Sequence, residues 1–276
     1  MTRPPPPLPA VHTIDEVVAA IDVIVDWAGS EASRIGYFAA LYKRITLAVG
    51  IAIDEGAFDD AARMERLDVV FAARYLDAVN GWFHPDRFPA PTRSWRTTFE
   101  HATQPEPILV QHMLSGVHTH IVLDLGIATV DVAGSARRLR DLRRDFDTIN
   151  AVLASQVAGV LADVNEISPA LADIYAVLRD HQIFVINEAI RALRDSAWRF
   201  ATVLAPTPGF ARPPVIWARD RRVSHQSALV FDPPGLIGVL DRAVTQIAAR
   251  ESRDVAHNIH VLNEVAATPA PIQTEL

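Results

Sequence analysis

Apolar residues recur every three or four positions along most of the chain, which is the spacing of one buried helical face. In the first such segment Thr13 has the side chain of an N-cap, and the apolar positions that follow extend to Trp27. The same pattern predicts helices over about 30–54, 59–78, 95–102, 108–132, 135–167, 170–204 and 235–249. No alternating strand pattern and no internal repeat is visible. The sequence therefore predicts an all-α fold, a compact bundle of about seven or eight helices.

Proline marks the segments between the helices. Residues 1–11 are a proline-rich lead, for which we expect an extended and disordered chain. Residues 205–235 are also rich in proline, and we expect a loop there. These boundaries predict a single helical domain over 12–250. The remaining tail, 251–276, has room for one more short helix.

Residues 108–132 form the most apolar of these segments and have no polar face. A helix of this kind is buried in the centre of a protein, so we expect the other helices to surround it. Its histidines are His112, His118 and His120, and Asp124 lies four residues after the last of them. Such groups are costly inside an apolar helix unless they are paired or bound to a ligand. This run is therefore the strongest candidate for chemistry.

Helical geometry decides which of these side chains can meet. At about 100° per residue, His120 and Asp124 differ by about 40° and lie on the same face. His112 lies about 80° from His120, so it could join them only if the helix bends, and Gly116 is a candidate for that bend. His118 points about 200° away from His120 and cannot share one metal ion with it on a straight helix.

Three interpretations of the His120–Asp124 pair stay open. The first is a buried hydrogen bond that only stabilises helix packing. The second is a divalent metal site for zinc, iron or manganese, with His112 and Asp147 as further ligands. The third is an acid/base pair without a metal, in which Asp124 orients His120 and raises its basicity.

Further polar residues on apolar faces are candidates for the same site. Arg74 and Tyr75 lie together in the third helix and are candidate catalytic residues beside His120 and Asp124. The candidate substrate-binding residues are Asn150, Arg194, Trp198 and His118. Arg194 and Trp198 are four residues apart, so their side chains can stack on one helix face.

The chain resembles an uncharacterised bacterial family, the domain-of-unknown-function family 5995, over about residues 30–235. The matching pieces are VFAARYLDA at 70–78, Trp95 with Phe99, GVHTHIVLDL at 116–125, Asp147 with Asn150, and RDSAW at 194–198. The resemblance implies a compact all-helical fold and carries over the pair His120 and Asp124. It implies no activity. His118 is a departure, because it stands where the family usually has Asn.

The amino-acid composition and net charge of the chain exclude or disfavour several classes of function. The 276 residues contain no Cys, which excludes disulfides, Cys-ligated zinc, iron–sulfur clusters and thiol nucleophiles. The net charge of -7 argues against nucleic-acid binding. We find no apolar run long enough for a membrane span and no signal peptide, so we expect a cytoplasmic protein. The motifs of zincins, Rossmann enzymes, P-loop NTPases and α/β-hydrolases are absent.

These observations favour a small-molecule enzyme with a polar His/Asp pocket inside a helical bundle. Its chemistry would be hydrolase-like, with or without a metal, or another proton transfer. One alternative is a metal-free cyclase or isomerase of specialised metabolism. Another is a binding protein without catalysis that holds an apolar ligand. The expected partner is a small molecule, and a homodimer is a further option.

Overall fold

The all-α fold is confirmed by the computed structural model, which describes residues 3–171, 181–232 and 237–271. No strand occurs in these ranges. Their twelve α-helices are α1 Ile14–Ser30, α2 Ile35–Asp54, α3 Ala61–Phe83, α4 Arg93–Ala102, α5 Leu109–Thr119, α6 Gly126–Ala133, α7 Ala136–Asp141, α8 Arg143–Ile167, α9 Gln182–Leu204, α10 Arg212–Ala228, α11 Ile237–Arg250 and α12 Val255–Ala266. A π-helical segment, His120–Leu125, joins α5 to α6. The helix count exceeds the predicted seven or eight.

Several helix starts follow from local side-chain chemistry. The Thr13 hydroxyl accepts a hydrogen bond from the Glu16 amide, which caps α1 as predicted. The Asp60 carboxylate caps α3 in the same way through the amide of Arg63. These caps satisfy backbone donors that have no partner within the helix.

Residues 109–133 run as one nearly continuous helix through α5, the π segment and α6. This helix contacts α2, α3, α4, α9 and α10. Gly116 allows one of these contacts, because a Cβ atom there would lie 2.5 Å from Cγ of Phe38. The glycine therefore serves close packing of α5 on α2, whereas the helical irregularity lies beyond it, in the π segment.

The loop predicted for residues 205–235 is wrong, because α10 occupies most of it. Pro213 and Pro214 lie in the first turn of α10, where a helix tolerates a residue without an amide hydrogen. The Asp220 carboxylate then accepts hydrogen bonds from the amides of Arg93 and Ser94, at 2.8 and 2.9 Å. This tertiary contact ties α10 to the start of α4.

The expectation of a disordered lead is wrong for residues 3–11, although these residues do lack regular secondary structure. Leu8 and Val11 are buried in the hydrophobic core. The Asn80 side chain exchanges two hydrogen bonds with the backbone of Leu8, at 2.8 and 3.0 Å. Proline keeps the segment extended, and these contacts fix it against α3. Residues 1–2 lie outside the described ranges.

The tail contains a helix, α12, which packs against α1, α2 and α8. Beyond it, the Gln156 side chain on α8 pairs with both backbone groups of Ala270, at 2.8 and 2.9 Å. The described part of the tail, up to residue 271, therefore contacts the rest of the bundle. The domain limits drawn from the sequence stay a prediction.

Among the described residues, two helices are long and apolar enough to cross a membrane, contrary to the expectation that no segment reaches that length. They are α2 and the helix over residues 109–133, and 72% and 78% of their apolar windows are buried inside the fold. Burial of this extent is also what a core helix of a folded bundle has.

Candidate functional site

The candidate site is built on the π segment His120–Leu125. A π turn holds more residues than an α-turn, and such turns are frequent at functional sites. The predicted pairing survives this change of geometry, because Nδ1 of His120 lies 3.1 Å from Oδ2 of Asp124. Both side chains are buried, with 2% and 1% of their surface exposed.

Asp124 is held by three donors from three parts of the chain. Besides His120, the Arg74 guanidinium donates from Nε to Oδ1 at 2.9 Å, and the Trp95 indole donates to Oδ2 at 2.8 Å. Burial raises the pKa of Asp124, but Arg74 and the hydrogen bonds from His120 and Trp95 outweigh it and keep the pKa below its ordinary value. Asp124 is therefore an ionised carboxylate at neutral pH.

This carboxylate fixes the protonation state of His120. An ionised carboxylate only accepts hydrogen bonds, so Nδ1 of His120 must carry the proton between them. Burial lowers the pKa of His120 in spite of Asp124, which keeps the imidazole neutral at neutral pH. The second ring nitrogen, Nε2, then carries a lone pair, and it is buried without a hydrogen bond.

Aromatic side chains surround the imidazole. The ring of Phe71 stacks on His120 at 3.6 Å between centroids and 8° between planes. Tyr42 meets it edge-on at 4.7 Å, and Phe38 does so at 5.8 Å. The rings of Trp95 and Tyr75 complete the group. This packing holds His120 in one orientation and limits its access to water.

His120 lies on the wall of a cavity of about 350 Å³. Most of the wall is apolar and comes from α2, α3, α5, the π segment, α8 and α9. The other polar or ionisable side chains on the wall are Tyr42, Asp68, Gln156 and Arg194. A largely apolar cavity of this size with a few polar groups is typical of small-molecule sites.

Two of these wall residues, Asp68 and Tyr42, were missed by the sequence analysis. Asp68 Oδ2 and the Tyr42 hydroxyl make no hydrogen bond. Burial raises the pKa of Asp68 to about 7, and burial followed by the Asp68 charge raises that of Tyr42. A signal for Asp68 does exist in the sequence, because it lies three residues before Phe71 and seven before Tyr75 on one face of α3.

Three further residues predicted from the sequence lie at the site. Arg74 and Tyr75 contact the His120–Asp124 pair or the aromatic rings around it, and Arg194 lies on the cavity wall. Arg74 binds Asp124 directly. Tyr75 is fully buried, its ring lies 5.0 Å from that of Trp95, and its hydroxyl makes no hydrogen bond. Arg194 is on the cavity wall, but it stacks on Phe146, at 4.3 Å, and the predicted stacking on Trp198 is wrong.

The other three predicted binding residues lie away from the cavity wall. Trp198 packs under the guanidinium of Arg143 at 4.8 Å. His118 faces α10, where Nδ1 lies 3.0 Å from the Ser227 hydroxyl, in keeping with its opposite direction on the helix. Burial, followed by the charge of Arg219, lowers the pKa of His118 to about 4. Asn150 does not line the cavity, and its Oδ1 is buried without a hydrogen bond.

The predicted metal ligands do not come together. His112 lies beside Tyr37 and Phe231, and burial lowers its pKa to about 3. Asp147 is 43% exposed and pairs with Arg143 at 2.7 Å. Since α5 is unbroken at Gly116, His112 keeps the different direction that helical geometry gives it. In residues 3–171, 181–232 and 237–271, no three His, Asp or Glu side chains are grouped to hold a metal ion.

Comparison of the sequence with protein-family models identifies the family to which the chain belongs. The model of a family of unknown function, DUF5995, matches residues 14–233, so the chain belongs to that family. The match includes α2, α3, α4, α5, the π segment, α8 and α9, which carry the His120–Asp124 pair, its aromatic surroundings and the cavity wall. No curated protein and no solved structure matches the chain.

Proposed function

We propose that this member of the DUF5995 family is a small-molecule enzyme that moves a proton on a largely apolar substrate, as an isomerase or cyclase does. The observation that carries the proposal is the state of His120. Its imidazole is neutral, Nδ1 is held by Asp124, and Nε2 has no partner. A buried base with a free lone pair beside an apolar cavity is suited to general base catalysis.

In the proposed reaction, Nε2 of His120 removes a proton from a bound substrate. The imidazolium that forms is stabilised by the Asp124 carboxylate, which Arg74 and Trp95 hold in place. Asp68 supports the return of a proton, because its pKa of about 7 leaves it partly protonated at neutral pH. An acid with a raised pKa and a base with a lowered pKa on one wall form a matched acid/base pair.

The proposal is tested with nitrobenzisoxazole, a small apolar probe. Its ring opens when a base removes one C–H proton, the N–O bond breaks, and a coloured phenolate with a nitrile group forms. We expect the wild-type protein to accelerate this elimination and His120→Gln to lose about a hundredfold of the acceleration, the lower range for a general base. Absorbance of the phenolate gives the rate.

His118→Gln is the matched control, because His118 lies on the same helix but contacts Ser227 instead of the cavity. We expect this variant to keep the wild-type rate. If the probe binds and both variants react as fast as the wild type, His120 is not the base and the proposed chemistry is wrong. Thermal melts of both variants show whether each is folded.

A second candidate function is the binding of an apolar ligand without catalysis. It is supported by the aliphatic side chains that dominate the cavity wall on α8 and α9, which include Val157, Val160, Leu161, Val164, Ile186, Ile190 and Leu193. In that case His120→Gln leaves the affinity for an apolar fluorescent probe unchanged, and no elimination depends on His120.

A further inference from the structure

We propose that the natural ligand is an amphipathic carboxylate, whose carboxylate pairs with Arg194 while its apolar body lies along the α8 and α9 walls of the cavity. This inference rests on the proposed function, since it requires the cavity to bind a small molecule. It adds the substrate class and a residue that positions the substrate.

Arg194 is a buried cation that lacks an acidic partner. It is 5% exposed and lies on the cavity wall. Its guanidinium donates one hydrogen bond, to the backbone carbonyl of Phe146, and Nε makes none. The two carboxylates that raise its pKa, Asp147 and Asp195, are each paired with Arg143. In the described ranges, no carboxylate forms an ion pair with Arg194.

An isolated buried charge is unfavourable, and proteins usually pair it. The bundle follows this rule elsewhere, since Arg74 pairs with Asp124 at 2.9 Å and Arg63 pairs with Asp145 at 2.8 Å. Burial lowers the pKa of Arg194 to about 10, which still leaves it charged at neutral pH. The guanidinium therefore has an unmatched positive charge and an unused N–H donor at the cavity.

The side chains of the cavity wall indicate which kind of anion would bind. One guanidinium balances one negative charge, and a carboxylate matches its planar donors. A phosphate monoester carries nearly two charges, which would leave excess charge in an apolar cavity. The aliphatic wall around Arg194 requires an apolar body behind the carboxylate. His120 and Arg194 line the same cavity, so an anchored carboxylate would position the rest of the ligand relative to the base.

The test compares decanoate with decanol, two probes with the same chain length and different head groups. Titration calorimetry gives the affinity of each for the wild type, Arg194→Met, Arg194→Lys and Arg191→Met. Arg191 is the matched control, because it lies one turn earlier on α9 and is half-exposed beside Glu188. Ile190→Trp, which adds bulk at the wall, shows whether binding occurs in the cavity.

We expect the wild type to bind decanoate at least about tenfold more tightly than decanol. Arg194→Met should lose that preference and leave decanol binding within about twofold, whereas Arg194→Lys should keep part of it. Arg191→Met should change neither affinity. Without ligand, Arg194→Met removes a buried charge that has no acidic partner, but it also removes the hydrogen bond to the Phe146 carbonyl and the stacking on Phe146. Its thermal melt therefore serves to show that the variant is folded.

The outcomes separate the two proposals. If both probes bind in the cavity with equal affinity to the wild type, the carboxylate inference is overturned and the ligand cavity stands. If neither probe binds, or Ile190→Trp leaves binding unchanged, the ligand cavity itself is wrong. If Arg194→Met does not fold, the decanoate preference of the wild type and its reduction in Arg194→Lys still decide the inference.

Discussion

Replacing Asp124 by Asn tests whether this carboxylate is the structural centre of the site. Asp124 is 1% exposed and accepts hydrogen bonds from His120, Arg74 and Trp95. Asn keeps the shape but removes the charge, so the imidazole and the guanidinium lose their common partner. Breaking a buried ion pair costs about 3–5 kcal/mol of unfolding free energy. Arg74 is 26% exposed and regains some hydration, so we expect a loss of about 3 kcal/mol.

The assay is urea unfolding of the wild type and Asp124→Asn at neutral pH and at about pH 3. The folded-state pKa of Asp124 is lowered, so its stabilising effect is present above the unfolded value of about 3.9 and is lost as the pH falls through the folded value. The difference between wild type and variant should therefore be largest at neutral pH and shrink in acid.

Asp147→Asn is the control for this experiment. Asp147 also pairs with an arginine at 2.7 Å, but both side chains are about 40% exposed, at 43% for Asp147 and 40% for Arg143. An exposed pair of this kind contributes about 0.2–1 kcal/mol. If Asp124→Asn destabilises the protein no more than Asp147→Asn does, the three hydrogen bonds do not hold the site as argued.

Two further predictions concern α3 and α5. Asp68→Asn should raise the unfolding free energy at about pH 8 by roughly 2–4 kcal/mol and change it little at about pH 4, because a raised folded pKa destabilises the folded state as the pH rises above the unfolded value. If chemical denaturation gives the same change in unfolding free energy at both pH values, the carboxyl of Asp68 is not buried without a partner. Gly116→Ala should cost about 1–3 kcal/mol through overpacking against Phe38. A thermal melt within one degree or so of the wild type would show that α5 and α2 shift apart freely.

The parts of the site that depend on local geometry could be predicted from the sequence. His120 and Asp124 are one helical turn apart, so their meeting follows from the helix itself. Helical geometry also correctly predicts that the side chain of His118 points away from His120 and Asp124. The partners of Asp124 on α3 and α4 are 50 and 29 residues distant, and no periodicity specifies such contacts. Arg74 was predicted as a catalytic candidate, but its contact with Asp124 was not.

Other errors arose where tertiary packing overrides a local signal. The proline content of the chain predicts a loop at 205–235 and disorder at 1–11. In the first case Pro213 and Pro214 begin a helix, and in the second Asn80 binds the extended backbone of Leu8. Asp68 was missed for a related reason. Its place on the apolar face of α3 is visible in the sequence, but the lack of a partner for its carboxyl depends on how α3 packs against neighbouring helices.

The contrast between Asp124 and the ionisable groups on the cavity wall favours the proposed ligand-binding role. Asp124 has a complete set of donors, so its charge is compensated within the fold. Nε2 of His120, Oδ2 of Asp68 and Nε of Arg194 are buried beside the same cavity and have no partner. Replacing such groups with apolar residues of similar volume is often neutral or stabilising. In the two proposals above, a bound molecule would supply the missing contacts, with its anion at Arg194 and a transferable proton at His120.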